Sequence, residues 1–175
     1  MHNGLVAGNR TFRTSLAGAG GADNGSAAGV HVGAAEAFLS TFVMYNGSIA
    51  NNTAYATRGE HATNPGGIYR AGGAGVFVHQ FCTFVMNGGF IENNTLSGNR
   101  LAGSTSDFVL NGAGVLLLGR AGIGTPLANA KQFTMHGGTI RNNTVSMAAA
   151  GVDGVLGGRR RNGTRRLCPY RPSSS

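Results

Sequence analysis

Apolar and polar residues alternate along this chain in short runs that recur in the same order. Three segments, Phe42–Thr53 (FVMYNGSIANNT), Phe84–Thr95 (FVMNGGFIENNT) and Phe133–Thr144 (FTMHGGTIRNNT), align without a gap. A second motif alternates with them: AAGVHV at Ala27–Val32, GAGVFV at Gly73–Val78 and GAGVLL at Gly112–Leu117, with a partial AAGVDG at Ala149–Gly154. The opening MHNGLVAGN, Met1–Asn9, aligns with MHGGTIRNN at Met135–Asn143, so the chain carries about four copies of one repeat. Successive side chains of a strand point to opposite faces, so a column that stays apolar from copy to copy belongs inside and a mixed one outside. Val30/Val32, Val76/Val78 and Val115/Leu117 form an inner column, and His31, Phe77, Leu116 and Asp153 an outer one. The next run puts Phe42/Met44, Phe84/Met86 and Phe133/Met135 inside, with Val43, Val85 and Thr134 outside. The third puts Ile49, Ile91 and Ile140 inside, flanked by Ser48/Ala50, Phe90/Glu92 and Thr139/Arg141, and Val6 matches the isoleucines in the opening copy.

Three short strands per repeat are therefore predicted. Such strands cannot bury an inner face alone, but stacked copies can enclose a continuous core, which makes the expected fold an all-β solenoid. Glycine pairs such as Gly88-Gly89 and Gly137-Gly138 mark a sharp corner, because glycine adopts positive φ without steric cost. The Asn-Asn-Thr triplet that ends the third strand suits a turn, since asparagine tolerates the left-handed region. Equivalent asparagines one tier apart would stand ~4.8 Å apart and could form a side-chain ladder. The methionines of the matched position, Met1, Met44, Met86 and Met135, are spaced by 43, 42 and 49 residues, roughly twice what the matched motifs occupy. The surplus, as in Ala54–Gly72, Leu96–Asn111 and Gly119–Gln132, is rich in Gly, Ser, Asn and Ala and is expected to form protruding loops. Within it DFVLN, Asp107–Asn111, could add a strand, and one or two turns of chain per repeat are both compatible with the spacing.

Composition sharpens this picture. Of 175 residues 31 are glycine and only 11% are charged, which suits turns and leaves no run of helix formers. The net charge of +8 is concentrated at one end: Arg159, Arg160, Arg161, Arg165, Arg166 and Arg171 have no acid among them, and the remaining chain holds 8 basic and 6 acidic residues. The predicted organisation is a repeat region at 1–157 and a basic, disordered tail at 158–175. The body offers no footprint for specific nucleic-acid binding; weak contact with anionic lipid or nucleic acid would rest on the tail. Cys82 and Cys168 have neither metal-ligand nor disulfide-framework spacing. No signal peptide is visible, and the start in mid-repeat suggests a fragment of a longer stack, whose remaining repeats would be its neighbours.

GAGVFV followed by TFVMNGGFIENNT resembles the right-handed parallel β-helix repeats of bacterial surface proteins, the adhesin-like autotransporter passengers and the polymorphic outer membrane proteins. The second group is marked by GGA-[ILV] and F-x-x-N tetrapeptides. Phe84-Val-Met-Asn87 and Phe108-Val-Leu-Asn111 fit the latter, and Gly72-Gly73-Ala74 before Gly75-Val76 approaches the former, while Phe42-Val-Met-Tyr45 and Phe133-Thr-Met-His136 depart from it. The resemblance covers roughly residues 1–156. It implies an extracellular or outer-membrane-associated location and a structural, adhesin-like role without catalysis, with cell-surface glycans or proteins as partners and no cofactor.

The alternative is a fragment of a carbohydrate-active β-helix enzyme, a polysaccharide lyase or glycoside hydrolase lacking its active site. Hydrolysis by a carboxylate pair needs two acids ~5–10 Å apart. The acids are Asp23, Glu36, Glu60, Glu92, Asp107 and Asp153, and Glu92 aligns with Ala50 and Arg141, so no acidic column forms. Adjacent Glu60 and His61, with Asp107 from the next loop, are the nearest approach to a catalytic group, and no catalytic, cofactor-binding or metal residue is assigned. His2 and His136 share a repeat position but are separated by Tyr45 and Asn87, too far apart to share a metal, and His31, His61 and His79 fall elsewhere. Thr53, Thr95 and Thr144 form one column, broken by Arg10, which reads as a turn ladder rather than an ice-ordering surface. The three Asn-Asn-Thr triplets are also glycosylation sequons, by-products of that turn.

Overall fold

A computed structural model describes residues 1–15, 27–33, 40–58, 68–79, 82–100, 107–117, 132–147 and 155–157. Among these the chain is strand, bend and irregular segments, with no helix. The first tier contains β1 (Gly4–Ala7) and β2 (Arg10–Ser15). The second contains β3 (Val30–Val32), β4 (Thr41–Met44), β5 (Gly47–Ala50), β6 (Thr53–Arg58) and β7 (Ile68–Gly72). The third repeats this as β8 (Val76–Val78), β9 (Thr83–Met86), β10 (Phe90–Glu92), β11 (Thr95–Arg100) and β12 (Asp107–Asn111). The fourth has β13 (Val115–Leu117), β14 (Phe133–Met135), β15 (Thr139–Arg141), β16 (Thr144–Met147) and β17 (Val155–Gly157).

Like strands of successive tiers pair in parallel, giving five open sheets: β1-β5-β10-β15, β2-β6-β11-β16, β7-β12-β17, β3-β8-β13 and β4-β9-β14. The register is that of the sequence alignment. Val6 pairs with Ile49, Ile49 with Ile91 and Ile91 with Ile140. Phe42, Phe84 and Phe133 stand in one row, and Val30 pairs with Val76 and Val76 with Val115. Because aligned residues are direct neighbours, each repeat makes one tier, which settles the open question of one turn or two.

The second, third and fourth tiers each have five strands where three were expected. Two segments read as loops, Ala54–Gly72 and Leu96–Asn111, each contain strand: β6 and β7 in one, β11 and β12 in the other. The possible strand at DFVLN is present, and pairs with Ile68–Gly72. The inward residues of these strands are mostly alanine, which pack inside without standing out as an apolar run. Most of the third stretch, Gly119–Gln132, and the whole tail 158–175 lie outside the described residues.

The interior has two lobes. The larger is built from Val32, Met44, Ile49, Val76, Val78, Cys82, Phe84, Met86 and Ile91, with Met1, Val6, Val30, Phe42, Val115 and Phe133 against it. The smaller is built from Ala28, Ala54, Ala56, Ala71, Ala74, Leu96, Leu110 and Ala113, with Val145 and Met147 against it. The inner columns expected from alternation fall in or against the larger lobe except in the fourth tier, where only Val115 and Phe133 do so. Leu117, Met135 and Ile140, expected inside, are outside that cluster and 39%, 43% and 37% exposed. Phe77, expected outside, belongs to neither lobe yet is only 1% exposed, so the outer face is covered at that point.

The corners explain the repeat's fixed residues. Asn51, Asn93 and Asn142 have φ of 57°, 55° and 53°, and Gly8 takes the same place in the first tier at 70°. Asparagine is among the few non-glycine residues that occupy this region readily. At the other corner Gly47, Gly89 and Gly138 have φ of 107°, 87° and 95°. A Cβ on Gly89 would also stand 2.6 Å from Met44 Cε, and one on Gly138 2.5 Å from Met86 Cε, so each methionine tucks under the glycine of the tier above.

Candidate functional site

The most ordered polar feature is internal. The second asparagine of each triplet, with Asn9 in the first tier, forms a ladder through all four tiers. Asn52 Oδ1 accepts from Asn9 N–H (3.2 Å) and Asn9 Nδ2 (3.0 Å). Asn94 Oδ1 accepts from Asn52 N–H (3.1 Å) and Nδ2 (2.9 Å), and Asn143 Oδ1 from Asn94 N–H (3.0 Å) and Nδ2 (2.9 Å). The second Nδ2 hydrogen of Asn52, Asn94 and Asn143 goes to the carbonyl of Val6, Ile49 and Ile91 respectively. Asn52 and Asn94 are completely buried and make every bond a carboxamide can make, which is the condition for a buried polar group to stabilise a fold.

Facing the ladder is the glycine of each Ala-Gly-Val motif. A Cβ on Gly75 would meet Gly114 O at 2.5 Å, Asn94 Nδ2 at 2.9 Å and Ile91 Cγ2 at 3.1 Å, and Gly29 and Gly114 are confined in the same way by Asn52 and Asn143. The preceding alanines, Ala28, Ala74 and Ala113, lie in the small lobe, and the following valines, Val30, Val76 and Val115, in or against the large one. Asparagine and glycine columns thus make the wall between the lobes. The sequence pointed to the ladder; the role of the glycine opposite it is visible only once the strands are in place.

The outer face carries smaller groupings. Glu92 and Arg141, adjacent in register, form an exposed ion pair of 2.7 Å, and the Arg141 guanidinium lies 5.2 Å from the Phe90 ring centre. Such pairs contribute little, about 0–1 kcal/mol. His2 stacks on Tyr45 at 4.5 Å, and His2 and His136 are both exposed. The threonine column is in register as expected, with Thr95 and Thr144 hydroxyls 3.3 Å apart. Glu60 and His61, with Asp23, Glu36, Asp153 and Cys168, lie outside the described residues; Asp107 opens β12, its backbone paired with Ile68. Whether Glu60, His61 and Asp107 meet is therefore outside what is described.

One grouping was not expected from sequence. His31 packs edge-on against Phe77 (4.8 Å between ring centres), and the His79 ring lies 6.4 Å from His31 and 6.1 Å from Phe77. Burial, and then the neighbouring His79, push His31 below its ordinary imidazole pKa. His79 Nδ1 is buried with no hydrogen-bond partner among the described residues. The signal in the sequence was the pairing of column and period: His31 and Phe77 share an outer position, and His79 follows two residues later on the same face. Cys82 turns the other way, into the large lobe. Among the described residues no group of three or more His, Cys, Asp or Glu is placed to hold a metal ion, and no helix is long and apolar enough to cross a membrane.

Comparison with protein-family models, with curated proteins and with solved structures gives no match.

Proposed function

We propose that this chain is a right-handed parallel β-helix segment serving as a structural and interaction module of a bacterial cell-surface or secreted protein, adhesin-like and without catalysis of its own. The observation that carries this reading is the Asn9–Asn52–Asn94–Asn143 ladder against its glycine wall. The most regular polar side chains of the repeat are used up in joining tier to tier, whereas outer positions change chemistry from copy to copy: His31, Phe77 and Leu116 in one column, Leu5, Ser48, Phe90 and Thr139 in another. A scaffold that conserves its inside and varies its outside is suited to holding loops in place for contact with other molecules. In-register parallel stacking of all five sheets supports the β-helix form, and the strong preference of parallel crossovers for one hand supports the right-handed sense.

The partners proposed are surface glycans or proteins contacted through the loops, with weak anionic-lipid or nucleic-acid contact through the arginines of the tail. A glycan array probed with the whole chain, alongside an assay on polymeric uronates, tests the proposal. Glycan or protein binding without turnover is the expected result. Release of unsaturated products would overturn the non-enzymatic assignment in favour of a polysaccharide lyase.

A further inference from the structure

His31 lies in β3 of the second tier, and His79 directly follows β8 of the third. His31 is in register with Phe77, and His79 comes two residues later on the same outer face. The two imidazoles are therefore diagonal neighbours on the side of the stack, an arrangement that brings ring side chains within reach of each other. Neither histidine belongs to the repeat. The places aligned with His31 hold Phe77 and Leu116, and those aligned with His79 hold Gly33 and Leu118. The architecture calls for imidazole at neither position.

The backbone of His79 is firmly held. Its N–H donates to Val32 O (3.0 Å), and its carbonyl accepts from Cys82 N–H (3.1 Å) and Gln132 Nε2 (3.3 Å). Its ring is not committed in the same way. Nδ1 has no hydrogen-bond partner among the described residues, so none of them fixes the tautomer. His31 is exposed and has room to turn.

The ring centres stand 6.4 Å apart, with the planes 31° from parallel. Two imidazoles that share an ion, each with its nitrogen about 2.0–2.1 Å from the metal, have centres roughly 4.5–6.5 Å apart, depending on the angle at the ion. A modest turn of the His31 ring brings the pair to any geometry in that range. Neutral imidazole suits nickel, copper and zinc, whereas magnesium and calcium take oxygen ligands.

We infer that His31 and His79 form a two-imidazole site for a divalent late transition ion, with water completing the coordination. Two protein ligands make an open surface site rather than a closed structural centre. This assignment goes beyond the adhesin-like reading and does not depend on it.

Calorimetric titration of the whole chain with nickel chloride alone, at about pH 7.5 where imidazole is largely neutral, tests it. One ion per chain is expected at the strongest site. Its affinity should fall about tenfold or more in both His31→Gln and His79→Gln, and stay unchanged in His2→Gln and His136→Gln. Because His31 is exposed, His31→Gln should keep the fold, which its denaturation midpoint without metal checks. An ion bound only by the native pair also raises that midpoint for the wild type, and should leave that of His31→Gln where it was. No binding up to about 1 mM nickel, or full affinity retained in His31→Gln, would overturn the inference.

Discussion

The two lobes of the interior are held by different means. The larger is filled by Val, Ile, Met and Phe, stacked on their own kind from tier to tier, as where Phe42, Phe84 and Phe133 stand 5.6 and 5.3 Å apart. The smaller is mostly alanine, with Leu96 and Leu110 its only large fully buried side chains among the described residues. A Phe or Ile buries enough apolar area to stabilise by a few kcal/mol, whereas an alanine methyl contributes a fraction of that. The small lobe therefore relies on close approach of its walls, and on the polar wall it shares with its neighbour. The lesson is that this interior is organised about its partition: the asparagine–glycine wall lets one lobe be thick and the other thin within a single tier.

Replacing part of that wall should have the largest effect. Asn94→Asp keeps the shape and removes both Nδ2 hydrogens. The new oxygen would face Ile49 O and Asn143 Oδ1, which Asn94 now serves as donor at 3.0 and 2.9 Å. Ile49 O loses this donor and Asn143 Oδ1 keeps only the Asn94 N–H; an unsatisfied buried group costs about 1–3 kcal/mol and a buried charge more, so a loss of at least about 4 kcal/mol is expected. Urea denaturation of wild type and variant measures it. A loss under about 1 kcal/mol would mean that the ladder is decoration and that the lobes hold themselves.

Next in size is truncation within the large lobe. Phe84 is fully buried between Phe42 and Phe133. Phe84→Ala should cost about 3–5 kcal/mol, the usual range for emptying such a site. The small lobe should fail in the opposite direction. Ala54 is fully buried, and Leu96 lies in the next tier of its column. Ala54→Leu should destabilise by about 1–3 kcal/mol through overpacking, although the column accepts leucine one tier up. If Ala54→Leu instead raised the denaturation midpoint, the small lobe would be underfilled rather than thin by design.

These contrasts also account for what the sequence could disclose. Phe42, Met44 and Ile49 and their copies recur as large apolar residues at period two, so the strands of the large lobe, their register and the asparagine column were legible. Thr53–Arg58 and Thr95–Arg100 were not, because Ala54, Ala56 and Gly98 alternate with Thr, Tyr, Ser and Asn and carry little hydrophobic contrast. Alanine and glycine also have weak strand propensity, so only stacking on like strands makes these segments β. Burial of Phe77 was hidden for a different reason: a column position fixes which way a side chain points, but not what lies over it. The histidine grouping around Phe77 depends on that covering.

That grouping sets the smallest predicted effect. His31 is exposed on one side and meets Phe77 and His79 on the other. Its folded-state pKa lies below the ordinary value of 6.5, from burial first and from His79 second. The fold therefore favours the neutral ring: the associated stability is complete above the unfolded-state pKa and is lost as pH falls through the folded one. Denaturation midpoints taken from pH 8 down to pH 5 should fall for the wild type, and His31→Gln should flatten part of that slope while leaving the pH 8 value nearly unchanged. Parallel profiles for the two proteins would remove His31 from the account. The effect belongs to the outer face alone, and the profile of Asn94→Asp, already destabilised at its wall, should keep the same His31 contribution if wall and outer face act independently.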